Sequence, residues 1–258
     1  MNDPWITLRQ FTQARIAQGR AGCSLPTAAL LEFQLAHAAA RDAVHQVWDV
    51  AAFAEGLESM DLEPLVLATP VVSRAQYLQR PDWGRCLAPD SREQLMASKQ
   101  SAIDVALIVS NGLSSAALDA HGLPLLGAIA DAYLASNLRL GPVCLVPNGR
   151  VALADEIGEL LNARLAVIIV GERPGLSAAD SLGIYLTYAP QAGNTDAERN
   201  CISNIRPPAG LNYSAAASKL VYLSKQALQL GFSGIALKDD MPAQWLTEIG
   251  GAELLNKL

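Results

Sequence analysis

The chain predicts an α/β fold: a Rossmann-like, mostly parallel sheet with flanking helices, preceded by a helical N-terminal region. Three observations carry this. Leu165-Ala-Val-Ile-Ile-Val170 is an apolar run rich in β-branched residues, the pattern of a strand buried on both faces. It stops at Gly171-Glu172-Arg173-Pro174-Gly175, where Pro-Gly forces a turn. Upstream, Val143-Cys-Leu-Val146 reads as a second buried strand, Pro147-Asn-Gly-Arg150 as a turn, and Val151 to Arg164 as a helix with Leu153, Ile157, Leu160 and Leu161 at helical spacing. Strand, helix, strand makes a right-handed crossover. It brings the Asn148–Val151 turn and the Gly171-Glu172 loop to one carboxyl edge, where open α/β sheets bind ligands.

The remaining elements follow in order. Ser24-Leu-Pro26-Thr27 starts a helix, with Pro near its first turn. An Ala-rich pattern continues it to about Glu55, and His37, Arg41 and His45 form a polar stripe at i, i+4, i+8. A further helix is expected from Gly56 to Leu67, then a polar, turn-rich segment from Ser73 to Arg85. Asp104-Val-Ala-Leu-Ile-Val109 is a buried strand, followed by a helix from about Ser115 to Asn137, interrupted or kinked near Gly122-Leu-Pro124. Leu182 to Tyr188 is a further strand, Asn194 to Asn204 a polar segment holding Cys201, and Ser214 to Leu230 a last amphipathic helix. The expected division is residues 1–100 as the helical N-terminal region and 101–258 as the α/β domain.

Composition narrows the function classes. The 258 residues are 51% hydrophobic and 17% charged, with net charge −6, as in a well-packed globular protein. No Lys/Arg cluster exists, which argues against nucleic acid and anionic membrane as partners. No apolar run is long enough to span a bilayer, and the N-terminus lacks a signal-peptide pattern. Cys23, Cys86, Cys144 and Cys201 show no metal spacing or disulfide framework, so a reducing cytoplasm is expected.

Known chemical motifs are missing. There is no GxGxxG after a strand, no GxxxxGK[ST], no HExxH and no GxSxG. His37 and His45 lie two turns apart, too far to share a metal. Asp119-Ala-His121 begins like the cobalamin motif Asp-x-His-x-x-Gly, but Pro124 occupies the final position. His121 therefore reads as an ordinary helical histidine. No catalytic constellation and no metal site are expected.

Several segments together resemble the ethanolamine ammonia-lyase small (light) subunit family. They are Arg20-Ala-Gly22 with Ser24-Leu-Pro26, and Phe33-Gln-Leu-Ala-His37 with Ala40-Arg-Asp-Ala-Val-His45. Tyr77-Leu-x-Arg-Pro-Asp-x-Gly-Arg85, Gly112-Leu-Ser114, Val170-Gly-Glu-Arg-Pro-Gly-Leu176 and Cys201-Ile-Ser-Asn204 complete the set, in order along almost the whole chain. The resemblance implies a subunit rather than a complete enzyme. The family's large subunit is a TIM barrel that holds substrate, and the small subunit covers adenosylcobalamin at the barrel mouth, in a hetero-oligomer of several small/large pairs. Together they convert ethanolamine to acetaldehyde and ammonia by radical chemistry, starting from a 5′-deoxyadenosyl radical.

Carried over by position, the cobalamin contacts are Val151, Glu172 and Cys201. Val151, at a helix start, has a free N–H to donate. Glu172 can accept from corrin amides, and Cys201 lies in a loop that can pack on the ring or its nucleotide tail. The family keeps the cofactor's own dimethylbenzimidazole on cobalt, so no protein histidine is needed there. Residues 1–100 are the expected docking region for the large subunit, through the His37/Arg41/His45 face. The chain departs from the family at Asn111, where Asp is common. Location inside a bacterial microcompartment, which some members reach through an N-terminal extension, is the alternative to free cytoplasm. The rival functions are a stand-alone α/β enzyme with an unrecognised nucleotide site, and a non-catalytic structural adaptor.

Overall fold

The computed structural model describes residues 5–97 and 103–242. Its centre is a six-stranded sheet in the order β1-β3-β2-β4-β5-β6. The strands are β1 (Pro64–Val66), β2 (Val105–Ser110), β3 (Leu140–Leu145), β4 (Leu165–Gly171), β5 (Leu182–Tyr188) and β6 (Arg199–Ile205). The first four in that order run parallel, and β5 and β6 add an antiparallel end. The helices are α1 (Thr27–His45), α2 (Val50–Glu58), α3 (Arg74–Gln79), α4 (Pro89–Ala97), α5 (Ser115–Ala135), α6 (Leu153–Leu160) and α7 (Tyr213–Leu230).

The alternation along β2 and β4 builds two cores. Val105, Leu107, Val109, Leu165, Val167 and Ile169 point to one face, where α5 and α7 cover them with Leu118, Leu125, Ile129, Leu220 and Val221. Ala106, Ile108, Ala166, Ile168 and Val170 point to the other face, covered by Leu153 and Ile157 of α6 and Leu95 of α4. Both faces of these strands are therefore dry, which is why their sequence is continuously apolar. At the amino end of β2, Asp104 accepts from the Arg139 backbone N–H at 3.0 Å and from the Arg139 and Arg164 guanidiniums at 3.2 and 3.4 Å.

Several expectations are corrected. The Ala-rich pattern is two helices, not one: Trp48 turns inward to stack edge-on with Phe53, and the Asp49 side chain caps α2 through the Ala52 N–H. The helix expected from Gly56 to Leu67 stops at Glu58, and Pro64–Val66 instead forms the parallel edge strand β1 beside β3. α5 is not interrupted at Pro124. It runs unbroken through it, anchored by buried His121, Gly122, Leu125 and Leu126 on either side. The helix expected from Val151 to Arg164 is shorter, Leu153–Leu160. The polar segment around Cys201 is edge strand β6, in which only Arg199, Ile202 and Ile205 are buried, so its composition is mixed.

Most of the N-terminal arm lies outside this packing, which only the carboxyl end of α1 joins. Within the 19 residues of α1 only Ala43 is buried. Leu30, Leu31, Phe33 and Leu35 are exposed, as are Trp5, Ile6, Leu8 and Phe11 ahead of it. His37, Arg41 and His45 are exposed as well. Arg15 donates to the Leu176 carbonyl at 3.2 Å, so the segment before α1 touches the loop after β4.

Candidate functional site

β2 lies between β3 and β4, with α5 leaving toward one face of the sheet and α6 toward the other. The loops after β2 and β3 therefore diverge, and a crevice opens at the carboxyl ends of the strands. A cleft of about 400 Å³ fills this position, bounded by Leu113, Arg150, Val151, Glu172, Tyr185 and Ser203 among others. A second hollow of about 300 Å³ continues from Arg150, Val151 and Tyr185 toward Arg85, Arg199 and Cys201. Val151 and Glu172 share the first, and Val151 and Cys201 share the second. The three residues singled out from the sequence thus line two adjoining hollows that share Arg150, Val151 and Tyr185, although they come from the turn before α6, the end of β4, and β6.

Local sequence explains the shape. Gly112, at φ +48°, packs its turn against the end of β4, where the Leu113 N–H donates to the Gly171 carbonyl at 2.9 Å. A Cβ on Gly171 would fall on the Ser114 carbonyl, so only glycine lets the two loops close. Val151 lies in the turn two residues ahead of α6. The N–H groups of Leu153 and Ala154 bond back to Arg150 and Val151 carbonyls, whereas those of Val151 and Ala152 meet no protein acceptor among the described residues.

Glu172 is more occupied than its turn-like sequence implies. Its carboxylate accepts from the Ser181 hydroxyl at 2.7 Å, the Ser203 hydroxyl at 2.5 Å and the Asn204 N–H at 3.2 Å. It ties the end of β4 to β5 and β6 while still facing the cleft. Cys201 stands opposite Tyr185 in the β5–β6 register. Desolvation, with the Glu172 carboxylate adding, pushes its thiol upward against the opposing hydrogen bond with Tyr185. Desolvation likewise raises the Tyr185 hydroxyl, with Cys201 and Glu172 adding to the effect.

The outer wall is the segment Tyr77–Arg85, which sequence reasoning quoted without giving it a site role. Tyr77 is buried, and guanidiniums of Arg150 and Arg74 lie 4.1 and 4.7 Å from its ring centre. Its hydroxyl donates to the Gly149 carbonyl at 3.3 Å, and the Arg150 N–H donates to the Gly84 carbonyl at 2.6 Å. Burial and the nearby Arg150 charge lower Arg74 from the ordinary arginine value, and Tyr77 opposes this. The far hollow is framed by Arg199, which is buried and paired with Asp155 and Asp196.

Asn111 does not line the cleft but sits beneath it. Its Oδ1 accepts from the Asn148 N–H at 2.8 Å, and its Nδ2 donates to the Ser115 hydroxyl at 3.1 Å. The role at this position is a donor–acceptor bridge between turns. His121 is buried in α5, with Nδ1 2.8 Å from the Tyr213 hydroxyl and Nε2 3.5 Å from Asp180. Among the described residues, no group of three His, Cys, Asp or Glu side chains is placed to hold a metal ion, and no helix is long and apolar enough to cross a membrane.

Comparison with known proteins agrees with this chain's marks. The family model described as ethanolamine ammonia-lyase light chain (EutC) matches residues 2–238. The chain is 52% identical over 241 residues to the ethanolamine ammonia-lyase small subunit of Azotobacter vinelandii, covering 92% of this chain and 89% of that protein. It is 50% identical over 254 residues to the small subunit from Pseudomonas putida, covering 97% and 93%. With the small subunit of Ralstonia nicotianae the identity is 51% over 240 residues, covering 92% and 88%. On both the family match and these relatives, this chain belongs to the ethanolamine ammonia-lyase light-chain family.

Proposed function

We infer that this chain is the small subunit of an adenosylcobalamin-dependent ethanolamine ammonia-lyase, which assembles with a large subunit to turn ethanolamine into acetaldehyde and ammonia. The observation that carries the reading is the pair of adjoining hollows at the carboxyl edge of the sheet, one lined by Val151 and Glu172 and the other by Val151 and Cys201. A corrin rim carries amide groups that both donate and accept. The hollows supply both partners: free N–H groups at Val151 and Ala152, and the Glu172 carboxylate with the Ser203 hydroxyl. The donor set therefore fits the cofactor. Its size fits only part of one, since hollows of about 400 and 300 Å³ take an edge of a corrin and leave the rest to another chain.

The division of labour follows. When bound, the cofactor supplies homolysis of its cobalt–carbon bond, the source of the radical. This chain's residues orient and shield. Val151 and Ala152 donate to the rim, Glu172 accepts from it, and Cys201 with Tyr185 gives a packing surface. Residues 1–100 dock on the large subunit, through exposed α1 and the apolar side chains before it. The protein acts in the cytoplasm, free or within a bacterial microcompartment, with several small/large pairs per assembly.

Co-expression with a family large subunit tests this. The purified complex should saturate with adenosylcobalamin in an absorption titration and release ammonia from ethanolamine, while this chain alone should do neither. Turnover by the isolated chain would favour the stand-alone enzyme. A complex that is active without this chain's cleft, shown by unchanged cofactor titration after Val151→Pro and Glu172→Ala, would favour the adaptor.

A further inference from the structure

Arg74 does not line the hollows, yet it holds together what does. Its Nε donates to the Val44 carbonyl at 2.6 Å, at the exit of α1. Its Nη1 donates to the Gly112 carbonyl at 2.8 Å, in the turn after β2, and to Asn148 Oδ1 at 3.1 Å, in the turn after β3. A second path joins the same three stretches. The Asn148 N–H donates to Asn111, Asn111 Nδ2 donates to Ser115 Oγ, and the Ser115 hydroxyl donates to the Gln46 carbonyl at 2.8 Å, two residues beyond Val44. The hydrogen bonds thus form a closed circuit around the back of the cleft. One planar guanidinium with fixed donor directions spans three acceptors; an ammonium cannot do so at the same angles. Three residues past Asn148 stands Val151.

We propose that Arg74 is a positioning residue of the cofactor cleft: by locking the Asn148 turn to the Gly112 turn and to the exit of α1, it aims the Val151 and Ala152 N–H groups. This rests on the reading of the hollows as the cobalamin-contacting surface. Because α1 belongs to the same circuit, seating that helix on the large subunit and aiming these N–H groups are one structural event.

The test compares Arg74→Ala, Arg74→Lys and Asn148→Ala with wild type, in the complex with the large subunit. The expected result for Arg74→Ala is a rise of about tenfold or more in the adenosylcobalamin concentration needed for half-saturation, with the KM for ethanolamine unchanged. Arg74→Lys should recover part of the loss, and Asn148→Ala should not add to Arg74→Ala. Hydrogen–deuterium exchange on the same proteins without cofactor should show faster exchange in 148–150, whose N–H groups are bonded, and in 111–113. Unchanged exchange in those two stretches overturns the positioning role, whatever the cofactor data. Should Arg74→Ala fail to assemble, wild-type exchange and wild-type titration in both Arg74→Lys and Asn148→Ala overturn it equally. A wild-type complex that never saturates with adenosylcobalamin sinks the cofactor reading instead, and the exchange result still decides whether Arg74 orders the turn.

Discussion

The Arg150 guanidinium lies 4.1 Å from the centre of the Tyr77 ring and donates to the Tyr77 backbone carbonyl at 3.1 Å. The residue that precedes Val151 is thereby clasped by a segment more than sixty positions earlier. Tyr77→Leu should remove the ring against which Arg150 and Arg74 rest and cost about 3 kcal/mol, as for large-to-small aromatic changes in cores. Tyr77→Phe should cost only about 1 kcal/mol, for the single bond to Gly149. Urea unfolding of the purified chain measures both; equal stability of Tyr77→Leu and wild type would show the wall to be dispensable.

Glu172 holds β5 and β6 to the end of β4, so its substitution should register twice. Glu172→Ala leaves Ser181, Ser203 and the Asn204 N–H without their acceptor and should destabilise the chain by about 1–3 kcal/mol. It should also weaken adenosylcobalamin binding by the assembled enzyme about tenfold. Ser181→Ala separates the two effects, since it removes one strand tie, lies outside the cleft lining and leaves the carboxylate. Cofactor titration paired with thermal melting gives the answer, and a Glu172→Ala enzyme that binds normally would reduce the residue to a strand tie.

Asp104 carries an acid dependence of stability. Burial alone would raise its carboxyl, but the Arg139 N–H and the Arg139 and Arg164 guanidiniums outweigh this and hold it below the usual carboxylate range. A folded value below the unfolded one means the unfolded state binds the proton more readily. The stabilisation is full above the ordinary aspartate range and is lost as pH falls through the depressed folded value. Asp104→Asn should cost about 1–3 kcal/mol at neutral pH and much less near pH 2. Denaturant melts across that range check this; a gap independent of pH would mean that packing, not charge, is lost.

Arg41 is exposed on α1 with His37 and His45 on the same stripe. Arg41→Glu reverses a charge on the face expected to meet the large subunit and should weaken co-purification without changing the melting of the isolated chain. A surface charge pair contributes at most about 1 kcal/mol, so the expected effect is several-fold in affinity. Gel filtration of the co-expressed subunits reads it directly.

The strands β2 and β4 were legible because burial on both faces leaves one kind of residue. The site was legible as an edge, since strand ends and turns are written locally in Gly and Pro. Strand β1 was not, because three residues cannot show a period, and its pairing with β3 is decided some eighty positions away. Strand β6 was hidden by its edge position and irregular register, since its buried side chains, Arg199, Ile202 and Ile205, fall three apart rather than two. The wall formed by Tyr77, Arg74 and Arg150 depends on contacts between distant turns. Its only local trace is the motif running to Gly84, where a Cβ would strike the Asn148 carbonyl.

The single buried side chain of α1 bears on how this polypeptide is made and kept. A helix that hides so little opens at small cost from its amino end, while the bonds to Val44 and Gln46 hold its carboxyl end to the turns of the sheet. The amides of its first turns should therefore exchange within the first minutes while those of β2 and β4 persist, and proteases should enter there first. In a cell the unescorted protein carries a greasy, easily frayed lever, and its lifetime before capture becomes a question of quality control. Synthesis of the two subunits in step would then be part of the protein's stability.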